Sequence, residues 1–497
     1  MTRRCLLPLG LGALLTLLSP AVSAAHVGSP DVVFEGSAGQ FPVRVIVRPP
    51  QVVPGLAEVI VRVLGGNATR VLIQPVYWRA GSTGAPSPDE AKRVAGSRDT
   101  YTGQLWLMAR GAYSVYVTVE GATGRGTVSV PVMSVATGRL RMSAGLGVLL
   151  AALGVVLLAG LGSIAYAAAG EGVVAPGKPM DRTGRRRARI VVAGAAALMA
   201  VALVGGAKWW RAVDADYATH MFRPLATHAT VVRDGATPVL HFTVVDEAGK
   251  ALPLDPLLPE HGKLMHLFVI DSVRMQAFAH LHPVFDDTAT FTTPLPPLPL
   301  GRYRLYGDIA FESGQTRTIT GVVTLDGSGT SSLGDADDAW TTASGTMRHG
   351  ATAAVVRLED GSSMEWLGDS AAIRPGVPAT LHFRVRDPSG APAQLEPYMG
   401  MNAHAVIVRI DGSVFIHLHP MGTVSPAAQE AFALRDAGDT TTTGRLRPAR
   451  AAMSADAMPL ASDFSIPYEF PRAGTYRIWV QVRRASRVLT GVFVVTV

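Results

Sequence analysis

Two apolar, uncharged segments constrain this 497-residue chain more than any other feature. Residues 142–169 exceed the roughly 20 residues that a membrane-spanning helix needs, and residues 190–207 form a second, shorter run. The loop between them, residues 170–189, carries six Lys or Arg side chains against two acidic ones, which the positive-inside rule assigns to the cytoplasm. We therefore predict a two-helix transmembrane hairpin in a bacterial-type inner membrane, with both flanking regions extracytoplasmic.

The first 25 residues have the pattern of a secretory signal peptide. Two arginines precede an apolar core, and small residues follow before a cleavage point after Ala24 or Ala25. The single cysteine, Cys5, lies inside this segment, so the mature protein is expected to have no disulfide and no thiolate ligand. Cleavage after Ala25 would make His26 the N-terminal residue, whose amine and imidazole could chelate copper together. His26 is therefore an additional candidate ligand.

The positive charge of the chain reflects membrane topology. Of the formal net charge of +7, the two signal arginines contribute +2 and the cytoplasmic loop +4, which leaves only +1 for the rest. The exported regions have no basic excess that could attract a phosphate backbone, so nucleic-acid binding is not expected.

The parts outside the membrane are predicted to be mainly β, as three immunoglobulin-like β-sandwich domains. Residues 26–138 alternate apolar and polar residues between turn signals, which is typical of a sandwich. A Gly-x-Tyr motif before a late strand occurs at Tyr113, Tyr303 and Tyr476, which predicts a tyrosine corner in each domain.

The last two domains are the closer relatives, because they share a series of motifs in the same order. We predict one repeat over residues 222–328, a linker over 329–350, and the second repeat over 351–497. The second repeat has an insertion, residues 424–460, which we expect to be a mobile surface loop because little of it is periodic.

Each repeat carries three histidines in the same order, and each trio ends in His-Leu-His-Pro. The six residues are His266, His280, His282, His404, His417 and His419. A His-x-His pair on a strand places both rings on one face. A two-residue turn at Asp411-Gly412 pairs the first histidine of its trio with the last, and a three-residue turn does the same in the earlier repeat. Each trio therefore shares one sheet face, within reach of a metal ion.

Histidine is not a requirement of this type of domain, because the mature N-terminal sandwich contains only His26. This contrast favours metal binding at both trios. The alternative is a set of structural or pH-sensing imidazoles, which would titrate near their ordinary pKa of ~6.5 and repel one another once protonated.

Copper is the expected ion, with zinc as the second choice. Imidazole suits copper, zinc and nickel, whereas the absence of thiolate and of a nearby carboxylate cluster disfavours iron–sulfur, calcium and magnesium sites. Methionine sulfur is a soft ligand for Cu(I). Met401 and Met421, on either side of the second trio, are therefore additional candidate ligands.

The two repeats resemble a bacterial family of secreted modules. The first repeat has His-Leu-Phe-Val, then Phe-x-His-x-His-Pro and Gly-Arg-Tyr, a pattern similar to FixH/YtkA-like, copper-resistance-associated modules. The resemblance covers only the two repeats, and in the second repeat Phe415 matches the aromatic position. It implies an immunoglobulin-like fold and an association with copper or another heavy metal, with the six trio histidines at the matching positions.

We therefore expect a membrane-anchored, extracytoplasmic metal-binding protein for copper storage, delivery or resistance. One alternative is an adhesion or assembly scaffold whose sandwiches bind another envelope protein. A second alternative is a metal-dependent oxidase or hydrolase, since a tri-histidine site with an open position supports such chemistry. The sequence argues against the enzyme, because it indicates no Glu as general base beside either trio and no nucleophile motif.

Overall fold

The computed structural model describes residues 31–497 except 141, 173, 176, 235–236, 287, 327–333, 349, 351–352, 440, 442–444 and 448–459. The predicted signal peptide and His26 lie outside these described residues. The chain is mainly β, with several antiparallel sheets and two long apolar helices.

The N-terminal unit consists of two sheets around one apolar core. Its strands are β1 (Val32–Ala38), β2 (Phe41–Arg48), β3 (Gly55–Val63), β4 (Ala68–Tyr77), β5 (Asp89–Glu90), β6 (Lys92–Arg93), β7 (Thr100–Leu107), β8 (Gly111–Gly121) and β9 (Gly124–Ser134). The sheets have the orders β1-β2-β3-β7-β6 and β5-β4-β8-β9. Alternate residues such as Val43, Val45 and Val47 are fully buried between them, because successive strand side chains face opposite sides.

Two apolar helices, α1 (Ala144–Glu171) and α2 (Arg182–Thr219), pack against each other and are long enough to cross a membrane. Helix α2 begins earlier than predicted, so most of the basic segment is helical and not loop. The reason is a strong N-cap: the Asp181 side chain accepts a hydrogen bond from the Gly184 backbone. The far ends of the hairpin are also joined, since Tyr217 donates to the carbonyl of Gly138 at 3.2 Å.

The first histidine-bearing repeat forms a second two-sheet unit. Its strands are β10 (Ala226–Asp234), β11 (Thr237–Val245), β12 (Leu257–Leu258), β13 (His266–Asp271), β14 (Phe278–Leu281), β15 (Val284–Phe285), β16 (Thr290–Pro294), β17 (Gly301–Phe311), β18 (Thr316–Leu325) and β19 (Ala339–Thr341). The smaller sheet has the order β10-β11-β16-β15. The larger has the order β12-β17-β13-β14-β19, and β18 also pairs with β17.

The second repeat forms a third two-sheet unit with an added helix. Its elements are β20 (Thr346–Met347), β21 (Ala354–Arg357), β22 (Ser363–Leu367), β23 (Pro378–Arg386), β24 (His404–Arg409), β25 (Phe415–Leu418), α3 (Pro426–Asp436), β26 (Asp463–Glu469), β27 (Thr475–Arg484) and β28 (Arg487–Thr496). The sheets have the orders β20-β28-β27-β24-β25 and β21-β22-β23-β26. The predicted linker contributes β19 and β20, which extend the histidine-bearing sheets of the two repeats.

The three tyrosines that the Gly-x-Tyr motif singles out occupy equivalent corners. Tyr303 and Tyr476 donate hydrogen bonds to backbone carbonyls four residues upstream, at 2.7 and 2.6 Å. In the N-terminal unit the hydroxyl of Tyr113 instead accepts from the backbone of Ala109, also four residues upstream, at 3.0 Å. These bonds fix the start of β8, β17 and β27 in the same way.

The two repeats pack face to face through the sheets that carry the histidines. Ten buried apolar residues from both repeats form a single cluster between these sheets. Within it, the ring of Tyr306 stacks on Phe415 at 4.1 Å and the ring of Phe278 stacks on Trp479 at 4.9 Å. Because apolar side chains cover both facing sheets, the repeats form one body and not two independent modules.

The N-terminal unit docks on the second repeat through backbone hydrogen bonds. The amide of Val33 in β1 donates to the Thr423 hydroxyl at 2.9 Å, and the Thr423 amide donates back to the Val33 carbonyl at 2.8 Å. The amide of Glu35 donates to the Met421 carbonyl at 2.9 Å. The edge of the first sheet is thus extended by the segment that follows β25.

Residues 426–436 of the insertion form a helix, which corrects the expectation of a loop there, and residues 448–459 lie outside the described residues. Helix α3 is capped by Ser425, whose side chain accepts from the backbone of Ala428, and Pro426 occupies its first turn. Its buried face includes Phe432, whose ring meets Trp78 of the N-terminal unit edge-on at 5.1 Å. The helix is only three turns long, so its periodicity is too short to stand out in the sequence.

We predict that Phe432→Ala loosens α3 from the N-terminal unit, because truncating a fully buried Phe costs about 3–5 kcal/mol. Trypsin should then cleave at Arg435 faster than in the unaltered protein, as followed by mass spectrometry of a digestion time course. Ala433→Ser, on the exposed face of the same helix, is the matched control and should leave the rate unchanged. Equal cleavage of Phe432→Ala and the unaltered protein would contradict the docking of α3.

Candidate metal centre

The hairpin geometry places the three imidazoles of each repeat on one sheet face. Phe268 pairs with His280 in the first hairpin, and Val406 pairs with His417 in the second. Continuing either ladder brings the first and last histidines of the trio opposite each other. The registers predicted from the two turns are therefore confirmed.

The two trios form one cluster because the sheets that carry them face each other. The ring centroid of His266 lies 5.2 Å from that of His417 and 6.4 Å from that of His404. His261, in the loop before β13, lies 5.5 Å from both His404 and His419. The expectation of two separate pockets is thus corrected to one buried layer of seven imidazoles between the repeats.

The first trio, His266, His280 and His282, is held in a preorganised arrangement; we call it the deep trio. The Nδ1 atom of His280 lies 2.8 Å from the Gln481 side-chain oxygen, and Nδ1 of His282 lies 2.9 Å from the Asp338 carboxylate. Nε2 of His282 is buried without a hydrogen-bond partner, and Nε2 of His280 lies 3.1 Å from Nδ1 of His266. One donor atom from each histidine lies within 4.8 Å of the others. A carboxylate or amide that holds the second ring nitrogen is typical of metal-binding histidines.

Gln481 belongs to the other repeat, so the repeats orient each other's histidines. Gln481 lies opposite His404 in its sheet, and Asp308 lies opposite His266 at the equivalent position of the first repeat. The carboxylate of Asp308 is 3.5 Å from Nδ1 of His417, just as Gln481 approaches His280. The arrangement is therefore crosswise, with an orienting residue from each repeat directed at the other trio.

A threonine opposite each orienting residue completes the same arrangement twice. Thr318 donates to the Asp308 carboxylate at 2.6 Å. The Gln481 amide donates to the Thr490 hydroxyl at 3.3 Å. These hydrogen bonds restrain the side chains of Asp308 and Gln481, each of which contacts a histidine of the other repeat.

Carboxylates adjoin both trios, which corrects the expectation that none lies nearby. Besides Asp338 and Asp308, an oxygen of Glu260 lies 3.4 Å from Nε2 of His419. Glu260, His417 and His419 form a second compact donor group; we call it the mixed trio. Sequence spacing alone did not indicate these contacts, because they come from a loop, the linker and a strand of the facing sheet.

A third compact donor group also crosses the interface between the repeats. It combines His261 of the first repeat with His404 and His419 of the second. The three predicted histidines of the second repeat therefore do not act alone. Two compact donor groups contain histidines of the second repeat. Each takes its third donor from the first repeat, Glu260 in one group and His261 in the other.

Many nitrogens of this layer are buried and have no hydrogen-bond partner. The unpaired atoms are His261 Nε2, His282 Nε2, His404 Nδ1 and Nε2, His417 Nε2, and His419 Nδ1 and Nε2. An unsatisfied buried polar atom costs about 1–3 kcal/mol, and most native proteins contain few of them. The concentration of such atoms in one layer leaves several histidine nitrogens that could hold a metal ion.

Burial favours the neutral forms of six histidines in this layer. Desolvation is the main cause, and neighbouring rings add repulsion; together they lower the pKa of His261 to about 4 and of His417 to about 3. The pKa of His266, His280, His404 and His419 is lowered for the same reasons. Desolvation also raises the pKa of Glu260 and of Asp308 to about 7. Neutral imidazole is the form that binds a metal ion.

A cavity of about 480 Å³ reaches one side of the cluster. All three units line it, and its wall includes Glu260, Asp308, His266, His417 and His419. It is large enough for hydrated ions and small molecules. The remaining two histidines of the deep trio, His280 and His282, are not part of its wall.

The two candidate methionine ligands lie in turns beside the cluster. The side chain of Met421 is partly buried and packs against the apolar core of the N-terminal unit. Met401 closes a turn with Tyr398 before β24. His241 and His382 lie on the other sheet of each repeat, where they contact Thr292 and Ser465.

Sequence reasoning missed Glu260, His261 and the two orienting residues. The sequence does contain a signal for the two orienting residues, because Asp308 and Gln481 each lie seven residues after the glycine of a Gly-x-Tyr motif. The sequence contains no comparable signal for Glu260 and His261, because the equivalent segment of the second repeat lacks them.

Comparison with protein families gives one match. Residues 225–327 and 354–497 match the model of a domain of unknown function, DUF8832. The matched segments include all seven histidines of the layer and exclude the N-terminal unit and the two apolar helices. No curated protein matches the chain in sequence.

Solved structures offer only remote likenesses. Domains 4 and 5 of the S-layer protein SbsC are 10% identical over 55% of this chain and 100% of that chain, with a TM-score of 0.12. A putative membrane anchored protein from Corynebacterium diphtheriae is 10% identical over 94% of this chain and 95% of that chain, with a TM-score of 0.14. The BSP domain of a biofilm associated protein is 8% identical over 95% of this chain and 98% of that chain, with a TM-score of 0.14. At such TM-scores these likenesses carry no argument.

We predict that the metal-free protein loses thermal stability as the pH falls from 6.5 towards 4.5. The six lowered histidine pKa values mean that the unfolded chain binds more protons in this range, so the stabilisation is full above ~6.5 and declines below it. The carboxyl groups of Asp31, Glu260 and Asp308 have raised pKa values and act in the opposite direction, but they are fewer than the histidines.

The measurement is the midpoint of thermal unfolding of the chelator-treated, detergent-solubilised chain at several pH values. A decrease of several degrees is expected. His382→Ala, which removes an exposed histidine, should reproduce the same profile. A midpoint that rises steadily on acidification would contradict the burial of neutral imidazoles.

Proposed function

We propose that the protein is a membrane-anchored, extracytoplasmic metal-binding protein that stores, delivers or detoxifies a transition-metal ion. One observation carries the proposal: the deep trio has two rings whose Nδ1 atoms are held by Gln481 and Asp338. Nε2 of His280 lies 3.1 Å from Nδ1 of His266, and one donor atom from each of the three rings lies within 4.8 Å of the others. The resemblance of the repeats to FixH/YtkA-like modules adds support from the sequence.

Copper or zinc, as a divalent ion, is the cargo that this donor set favours. Imidazole with carboxylate suits both ions. The argument for Cu(I) rested on methionine sulfur, and the packing of Met421 against the N-terminal core removes much of it. We therefore propose copper and zinc as the ions to test, without preference for the reduced state.

The unpaired nitrogens favour metal binding over a purely structural role. A polar layer that served only to join the repeats would be expected to pair its nitrogens with one another, because unpaired groups lower stability. Here both nitrogens of His404 and of His419 are buried without a hydrogen bond. An ion would supply the missing interactions.

The extracytoplasmic setting is part of the proposal. Helices α1 and α2 form the membrane anchor, and the basic segment around Arg185 is placed in the cytoplasm by its charge. We further propose that each of the three two-sheet units is an immunoglobulin-like sandwich. The equivalent tyrosine corners support this assignment.

We predict that His280→Ala lowers the affinity of the full chain for Cu(II) and Zn(II) at least tenfold, because it removes a nitrogen of the deep trio. The measurement is competition with a chromophoric chelator after the purified chain has been stripped of metal. His382→Ala is the matched control, since its ring is exposed on the opposite sheet and should not affect binding.

Near-ultraviolet circular dichroism of both variants shows whether they remain folded. Equal affinities of His280→Ala and the unaltered protein would exclude the deep trio as a metal site. If the unaltered protein binds neither ion but retains an envelope protein in a pull-down, the result would favour the scaffold alternative over the metal-binding function.

The topology gives a separate prediction, because the only natural cysteine lies in the predicted signal peptide. A membrane-impermeant maleimide should label Ala248→Cys, in an exposed turn of the first repeat, in cells whose outer envelope has been opened. Ala175→Cys, in the segment between the helices, should react only after lysis of the inner membrane. The reverse labelling pattern would contradict the proposed orientation of the chain in the membrane.

Hydrolysis is the second candidate function, and Glu260 is the observation that favours it. This carboxylate lies beside His419 on the cavity wall, which is where a general base for a metal-activated water would be needed. Turnover of an ester or phosphoester by the zinc-loaded chain would favour this alternative over a carrier.

A further inference from the structure

The deep trio and the mixed trio differ in their access to the cavity. All members of the mixed trio, Glu260, His417 and His419, line its wall. In the deep trio only His266 does so, while the other two rings are enclosed by the sheets. An ion that enters the cavity therefore reaches the mixed trio and His266 before the rest of the deep trio.

We propose that the mixed trio is a second metal site, which takes up the ion from the cavity and passes it to the deep trio. This inference rests on the proposed metal-binding function and specifies how the ion is loaded. The transfer exchanges ligands one at a time and involves no change of oxidation state.

The donor atoms of the mixed trio have the spacing of ligands around one ion. The Glu260 oxygen and His419 Nε2 are 3.4 Å apart, longer than a good hydrogen bond. Metal–ligand bonds of roughly 2.0–2.2 Å in a tetrahedral arrangement separate two ligand atoms by about 3.3–3.5 Å. The observed spacing agrees with a shared ion better than with direct pairing.

The imidazoles of the mixed trio have free nitrogens in the right places. Nδ1 of His417 faces Asp308, which is itself held by Thr318, so its Nε2 is left for an ion. That Nε2 and both nitrogens of His419 are buried without a hydrogen bond. The side chains of His417 and His419 are only 4% and 3% exposed, so water does not readily satisfy them in place of a metal.

The step from the mixed trio to the deep trio is short. The ring centroids of His417 and His266 are 5.2 Å apart, and both rings line the cavity. His266 is in turn within hydrogen-bond distance of His280, at 3.1 Å between ring nitrogens. A continuous series of imidazoles thus leads from the cavity wall to the enclosed rings.

The insertion of the second repeat positions the carboxylate of this site. The hydroxyl of Ser425, the N-cap of α3, donates a hydrogen bond to Glu260. The helix cap and the proposed ligand are therefore linked. The insertion, which the first repeat lacks, therefore helps to position a proposed ligand on the cavity wall.

The test uses Zn(II) alone as the probe and the full, detergent-solubilised chain. Glu260→Gln should reduce the stoichiometry from two ions to one and slow the filling of the remaining site at least tenfold in stopped-flow mixing with a zinc indicator. The equilibrium affinity of that remaining site should change less than threefold, because the deep trio is intact. Asp31→Asn is the matched control, since Asp31 lines the same cavity outside the mixed trio and should leave both quantities unchanged.

Asp308→Asn provides a second variant that keeps all zinc ligands. It loosens the orientation of His417 and should also slow loading without changing the affinity of the deep trio. Loading at the unaltered rate in both variants would overturn the exchange site but leave the proposed function standing. A chain that binds no zinc at all would overturn the proposed function as well.

Discussion

The packing of one histidine-bearing sheet against the other is the interaction on which the rest of this structure depends. An apolar cluster from both repeats, centred on stacked pairs such as Tyr306 and Phe415, brings the two faces together. The same contact buries most of these imidazoles, and this burial lowers the pKa values of rings such as His266 and His404. Each property of the candidate metal centre therefore follows from an interface between domains.

Much of the local structure could be predicted from the sequence, because it depends on short-range rules. The turn at Asp411-Gly412 determined the register of its hairpin, and the Gly-x-Tyr motif located three corners. The apolar runs indicated both long helices. In each case a few neighbouring residues contain the information.

The candidate centre could be predicted only in part, because it is built from residues that are distant in sequence. Alternation along a strand shows that His280 and His417 face the same way as their partners, but not that the two faces meet. Asp308 and Gln481 act on the histidines of the opposite repeat, a contact that no local pattern records. Helix α3 was missed for a related reason, since its stability comes from packing against Trp78 and not from its own length.

The hydrogen bonds between β1 and the segment around Thr423 have a consequence for topology if the two apolar helices span a membrane. They join parts of the chain that lie before and after both apolar helices. Residues 33 and 423 can meet only if they emerge from the same side of the bilayer. This contact therefore requires an even number of crossings between them, by a route that does not depend on counting charges.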